Sequence, residues 1–162
     1  MWVAANSDPP WLRGGTYMVT RRIRMLIEVW DRASLDDQEQ TIGRRKESGA
    51  PFGREDEFDP VNLSRTPVGA HVRLATPSEN GDRRILRRGY SFTDGMDAEL
   101  GQLDAGLFFI SYQNDPAGFV ELQRRLAASD ALNEYIKHTG SALFACPPGV
   151  RPGGYVGETL LG

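Results

Sequence analysis

Between residues 16 and 30 the chain changes character at nearly every step. Tyr17, Val19, Ile23, Met25, Ile27 and Val29 fall on one side of an extended backbone, and Thr20, Arg22, Arg24 and Glu28 fall on the other. Successive side chains of a strand point to opposite faces, so this alternation predicts a long, half-buried strand. Arg21 interrupts the apolar side. A buried guanidinium needs an anionic partner, because an unpaired buried charge is very costly. An internal carboxylate is the commoner solution, and an anionic group on a ligand is the other.

The remaining segments extend the pattern. Residues 1–15 read as a leading loop broken by Pro9, Pro10, Gly14 and Gly15. Ser34 and Asp37 resemble a capping box that opens a helix over residues 34–45, with Gly43 near its end. Residues 47–69 read as a long polar surface loop, and its acids Glu55, Asp56, Glu57 and Asp59 match no calcium-loop spacing. His71 follows, on a flank expected to be strand-like, and a Gly/Asn/Ser turn separates it from a second strand at 85–92. In that strand Arg87 shares a face with Ile85, Gly89 and Ser91, which leaves room beside the guanidinium for a bulky planar group. Arg88 points the other way, with Leu86, Tyr90 and Phe92.

Residues 93–106 read as a loop, and the near-continuous apolar run GLFFISY at 106–112 as a buried strand. Asp115 followed by Pro116 is a helix start, and that helix runs to about Ala128 with Phe119, Leu122 and Leu126 on one face. A turn-rich helix is expected through Leu132, Tyr135 and Ile136 until Gly140 stops it, then a last strand over 141–146 and a tail over 147–162. His138 would sit at the end of that helix, where a cationic imidazole suits the C-terminus. The element order predicts an α+β fold of the ferredoxin-like βαββαβ kind, an antiparallel sheet with both helices on one face. That architecture hosts many unrelated activities and decides none of them.

Composition narrows the function classes. The chain has 162 residues, enough for one domain with a sizeable core. Its net charge is −3 and its arginine clusters are offset by acids, which gives no footprint for nucleic acid. A single cysteine, Cys146, excludes an internal disulfide framework, and two histidines in all, His71 and His138, argue against a His-rich zinc site. No apolar run approaches the roughly twenty residues of a membrane span. The opening MWVAANSDPPWLRGG has the form of neither a signal nor a transit peptide, and reads like the middle of a larger protein.

Five segments, taken together and in order, carry a resemblance: WLRGGTYMVTRRIRM (11–25), AHVRLATP (70–77), ILRRGYSF (85–92), LDAGLFFISYQNDP (103–116) and LNEYIKHTGSALFACPPG (132–149). They resemble the C-terminal half of a Dyp-type haem peroxidase, the family that includes the deferrochelatases. The resemblance implies one half of a dimeric α+β barrel that binds haem b. His71 would be the proximal iron ligand and Arg87 the distal arginine. Leu107 and Phe109 would be apolar walls, and Arg21 would meet a haem propionate. Asp130 or Glu134 would hold the second ring nitrogen of His71.

The implied activity is oxidation of dyes, phenols or porphyrin-type substrates by hydrogen peroxide. Relatives are commonly exported by a twin-arginine signal. The sequence also departs from the family. Its GxxDG signature, which supplies a distal aspartate, is absent, and SFTDG at 91–95 lies on the wrong side of the arginine strand, so Asp94 is not assigned. The other ferredoxin-like half is expected to come from a missing N-terminal domain or a second copy of the chain. A haem- or porphyrin-binding protein without turnover is the alternative reading.

Overall fold

The computed structural model describes residues 1–161. Gly162, the last residue of the expected tail, lies outside them. Four strands form one antiparallel sheet in the order β2-β3-β1-β4: β1 (Thr16–Met25), β2 (Leu86–Asp97), β3 (Gln102–Gln113) and β4 (Ile136–Cys146). Helices α1 (Ile27–Trp30), α2 (Leu35–Ile42) and α3 (His71–Ala75) precede β2, α4 (Pro116–Ser129) joins β3 to β4, and α5 (Glu158–Leu161) closes the chain. The fold is the ferredoxin-like α+β sheet that the element order predicts.

Register fixes the faces. Arg21 pairs with Phe109 and Ile23 with Leu107, while Arg87 pairs with Ser111 and Ser91 with Leu107. These residues therefore share one face, and against it lie α3 and α4. Leu74, Leu122 and Leu126 form a buried cluster between the two helices, with Ala75 and Ile85 packed on it. The other face carries Leu86, Tyr90, Phe108 and Phe144, each between 39% and 52% exposed. It also carries Arg22, held between Asp94 at 2.7 Å and Asp104 at 2.8 Å.

Several elements differ from the sequence expectation. The first strand ends at Met25, because the chain turns at Leu26 and winds into α1; Ile27 and Val29 are helical. Ser34 does cap α2, accepting from Asp37 N–H, but left-handed Gly43 stops the helix at Ile42. The expected loop at 93–106 is mostly strand. β2 continues to Asp97 and β3 starts at Gln102, with Asp97 Oδ1 accepting the N–H groups of Glu99 and Leu100 in the turn. Polar, exposed residues there obscure the alternation.

The 47–69 segment is a loop, yet not all surface: Ala50, Pro51, Phe52 and Thr66 are buried, and Pro51 bridges to Arg44. The leading loop contains a 3-10 turn, Pro10–Leu12, that buries Leu12 completely. The strand over 106–112 is only half covered, since Leu107 and Phe108 remain exposed. The tail carries the short helix α5.

The turn-rich helix before Gly140 is the largest correction. Only Ala131–Glu134 is helical, as a short 3-10 turn capped by Asp130, and the chain then enters β4 at Ile136. His138 is accordingly a strand residue, and the helix-terminus role expected for it falls away. Leu26 N–H donates to Tyr135 O across this junction at 2.8 Å, which draws the segment onto the end of β1.

Candidate functional site

A cavity of about 1360 Å³ opens between the sheet and the α3/α4 layer. Drug-sized ligands occupy pockets of roughly 300–1,000 Å³, so this one suits something larger. All five residues singled out from the sequence, Arg21, His71, Arg87, Leu107 and Phe109, line it.

His71 begins α3 rather than a strand: Ala70 is extended and the helix starts at the histidine itself. Its Nδ1 lies 2.6 Å from Oδ2 of Asp130, which is buried at the end of α4. An ionised carboxylate only accepts, so Nδ1 donates, and in the neutral ring that leaves the lone pair on Nε2. Of the two acids left open by the sequence, Asp130 is the one in contact. Glu134 lies in the 3-10 turn beyond it, outside the cavity wall. The separation of 59 positions from His71 to Asp130 leaves no local sequence signal that joins them.

Arg21 contradicts the expectation of an internal carboxylate. Its Nη1 donates to the neutral Oε1 of Gln123 on α4, its guanidinium lies 5.2 Å from the centre of the Phe119 ring, and its Nε is buried without a partner. Among the described residues it forms no ion pair. Burial lowers its pKa from the ordinary value. The cavity thus keeps a cation with no acidic partner among the described residues.

Arg87 lines the cavity, whereas Arg88 turns outward, its guanidinium 5.8 Å from the Tyr90 ring. The room expected at Gly89 is used by Leu107: a methyl group added there would stand 2.9 Å from Leu107 Cδ1. Phe109 lies 6.0 Å, ring centre to ring centre, from Phe119 and forms an aromatic wall with it. His138 also lines the cavity, and burial together with the nearby Arg21 lowers its pKa. Asp94 faces the opposite side of the sheet on Arg22, so Asp130 is the one carboxylate in the cavity wall among the described residues.

This donor set suits a large flat ligand with anionic arms and a metal. It offers one imidazole nitrogen held by a carboxylate, aromatic and aliphatic walls, and guanidiniums without counter-ions. The model of the Dyp-type peroxidase C-terminal family matches residues 1–151. The chain belongs to the Dyp-type peroxidase family.

Among relatives, a dye-decolorizing peroxidase of Thermobifida fusca is 48% identical over 98% of this chain, and a deferrochelatase of Yersinia pestis is 42% identical over 99%. The solved DyP-type peroxidase of Streptomyces coelicolor superposes with a TM-score of 0.93 at 42% identity over 99% of the chain. Ferric DtpA of Streptomyces lividans gives 0.92 at 42% identity over 99%. The chain spans 39% of the length of these curated relatives and 46% of these solved chains.

Proposed function

We propose that this chain is the haem-binding half of a peroxidase that oxidises dyes, phenols or porphyrin-type substrates with hydrogen peroxide. The observation that carries the reading is the His71–Asp130 contact, made on the wall of a cavity larger than ordinary small-molecule sites. Haem b would be held by His71 through Nε2, enclosed by Leu107 and Phe109, and met at its carboxylates by Arg21. When bound, it supplies an iron centre that accepts peroxide and takes oxidising equivalents from it.

The chain's own groups set the conditions. Asp130 holds the His71 ring in one tautomer and raises its basicity, which favours electron-poor iron. Arg87 presents a fixed positive charge to the cavity, where negative charge builds on a departing oxygen.

A second reading is favoured by the carboxylate census of the cavity. No acid of the described residues faces it from the sheet, so proton transfer from a distal aspartate has no source here. In that reading the chain holds haem or porphyrin without turnover. The exposed apolar sheet face away from the cavity, with Leu86, Tyr90, Phe108 and Phe144, offers a docking surface to the other ferredoxin-like half, whether an N-terminal domain or a second copy. Export by a twin-arginine signal remains a proposal from family resemblance alone.

Reconstitution with hemin tests the first step. A Soret band with a histidine-ligated spectrum is expected, and it should be lost or altered in His71→Ala. An unchanged spectrum in that variant would remove His71 as the iron ligand. Peroxide-dependent bleaching of an anthraquinone dye by the loaded protein then separates turnover from mere binding.

A further inference from the structure

β4 contains a register shift at a telling position. Arg22 of β1 pairs with Gly140, but the next residue, Ile23, pairs with His138, so Thr139 is the extra residue of a bulge. Thr139 is tied to Arg22 at both ends: its hydroxyl donates to Arg22 O at 3.2 Å and accepts from Arg22 Nη1 at 3.2 Å. In an unbroken ladder His138 would face Arg24, on the side of the sheet away from the cavity. The bulge turns its imidazole onto the cavity side instead, a use of bulges common beside functional sites.

There His138 meets Arg21. The two project from neighbouring strands onto the same face, both line the cavity, and Arg21 keeps its Nε unpartnered. The neighbours of Arg21 are Gln123 and the Phe119 ring, neither of which offsets its charge. Converging two basic groups with no acid between them is unfavourable, and burial together with the nearby Arg21 lowers the pKa of His138. A fold that spends a bulge on this arrangement leaves a place for an anion.

We infer that Arg21 and His138 together form a carboxylate subsite that receives a side arm of the bound tetrapyrrole, with His138 as the specificity-determining member. The inference rests on the tetrapyrrole reading above and adds a residue that the resemblance did not assign. Arg21 supplies the permanent charge from the sheet centre. His138, from the neighbouring strand β4, donates a second hydrogen bond once the carboxylate is present. The site then distinguishes acidic plates from neutral ones of the same shape.

Metal-free protoporphyrin IX and its dimethyl ester make the test, because neither uses the iron ligand. Binding to the full 162-residue chain is followed by porphyrin fluorescence for the unsubstituted protein, His138→Gln, Arg21→Gln and, as a control on the opposite face, Lys137→Gln. The free acid is expected to bind about ten-fold or more tightly than the ester, as charge-assisted hydrogen bonds require. His138→Gln and Arg21→Gln should each shrink that ratio by roughly three- to ten-fold, and Lys137→Gln should leave it. A ratio near one in the unsubstituted protein, or one that both cavity variants retain, overturns the subsite while leaving tetrapyrrole binding intact. Binding of neither compound removes the tetrapyrrole reading itself, and the subsite with it.

Discussion

Asp130 serves two masters at once: Oδ2 lies 2.6 Å from His71 Nδ1, and Oδ1 accepts the backbone N–H of Leu132 at 2.9 Å. The first contact orients the imidazole. The second caps the 3-10 turn that leads into β4. One carboxylate therefore couples the candidate iron ligand on α3 to the strand that carries His138.

Asp130→Asn separates the two tasks, since asparagine caps a helix nearly as well as aspartate but brings no charge to the ring. The variant should remain folded, bind hemin about 10–100-fold more weakly and show a more positive iron reduction potential. Hemin titration and spectroelectrochemistry measure both. A potential equal to that of the unsubstituted protein would dismiss the orienting role.

Arg87→Leu should keep hemin affinity within a few-fold but slow the reaction of the loaded protein with peroxide by about 10²–10³-fold, the scale of losing one charge stabiliser. Arg88→Leu, which changes a side chain beside Tyr90 on the other face, should leave that rate alone. Stopped-flow mixing distinguishes them, and equal effects in the two variants would sink the assignment.

The Arg87 and Arg88 pair was legible because the strand period alone separates them. The cavity face of β1 was legible for the same reason. Other features depended on contacts that no window of sequence contains. His71 starts a helix of only five residues, too short for periodicity to register. The β2–β3 turn is built from polar residues whose alternation carries no apolar signal. The 132–140 segment has its apolar residues at helical spacing, yet its Leu26–Tyr135 hydrogen bond and the pairing with β1 draw it into the sheet. Choosing Asp130 over Glu134 likewise required the fold, because their nearness in the chain says nothing about which one meets α3.

Gly106 offers a test of the sheet itself. A methyl group there would stand 2.1 Å from Ile23 O and 2.9 Å from Met25 N, both backbone atoms of the adjoining strand. Neither can move without opening the β1–β3 ladder. Gly106→Ala should cost about 2–4 kcal/mol, read as a lower urea midpoint, and a midpoint unchanged by the substitution would contradict the close strand approach.

Glu39 sets an acid limit on stability. It is buried on α2, accepts Lys46 N–H at 2.9 Å and pairs with Arg45 at 2.6 Å, and those contacts hold its pKa below the ordinary glutamate value. A carboxylate lowered on folding contributes stability in full above its unfolded pKa of about 4.3, and loses it as the pH falls through the lower folded value. Thermal midpoints should therefore drop below about pH 4.3, and Glu39→Gln should be less stable at neutral pH with a flatter acid limb. Parallel acid limbs in the two proteins would count against this.

The central place of β1 also sets a timetable. Its ladder partners on β3 and β4 come roughly 80–130 positions later in the chain, a separation that belongs to slow-folding topologies. At synthesis rates of about 5–20 residues per second, β1 waits roughly 4–19 s for β3 and roughly 6–26 s for β4. A nascent chain emerging from the ribosome thus carries a ten-residue sticky ribbon before its own ladder partners exist. Chaperone capture during translation would have its natural address there.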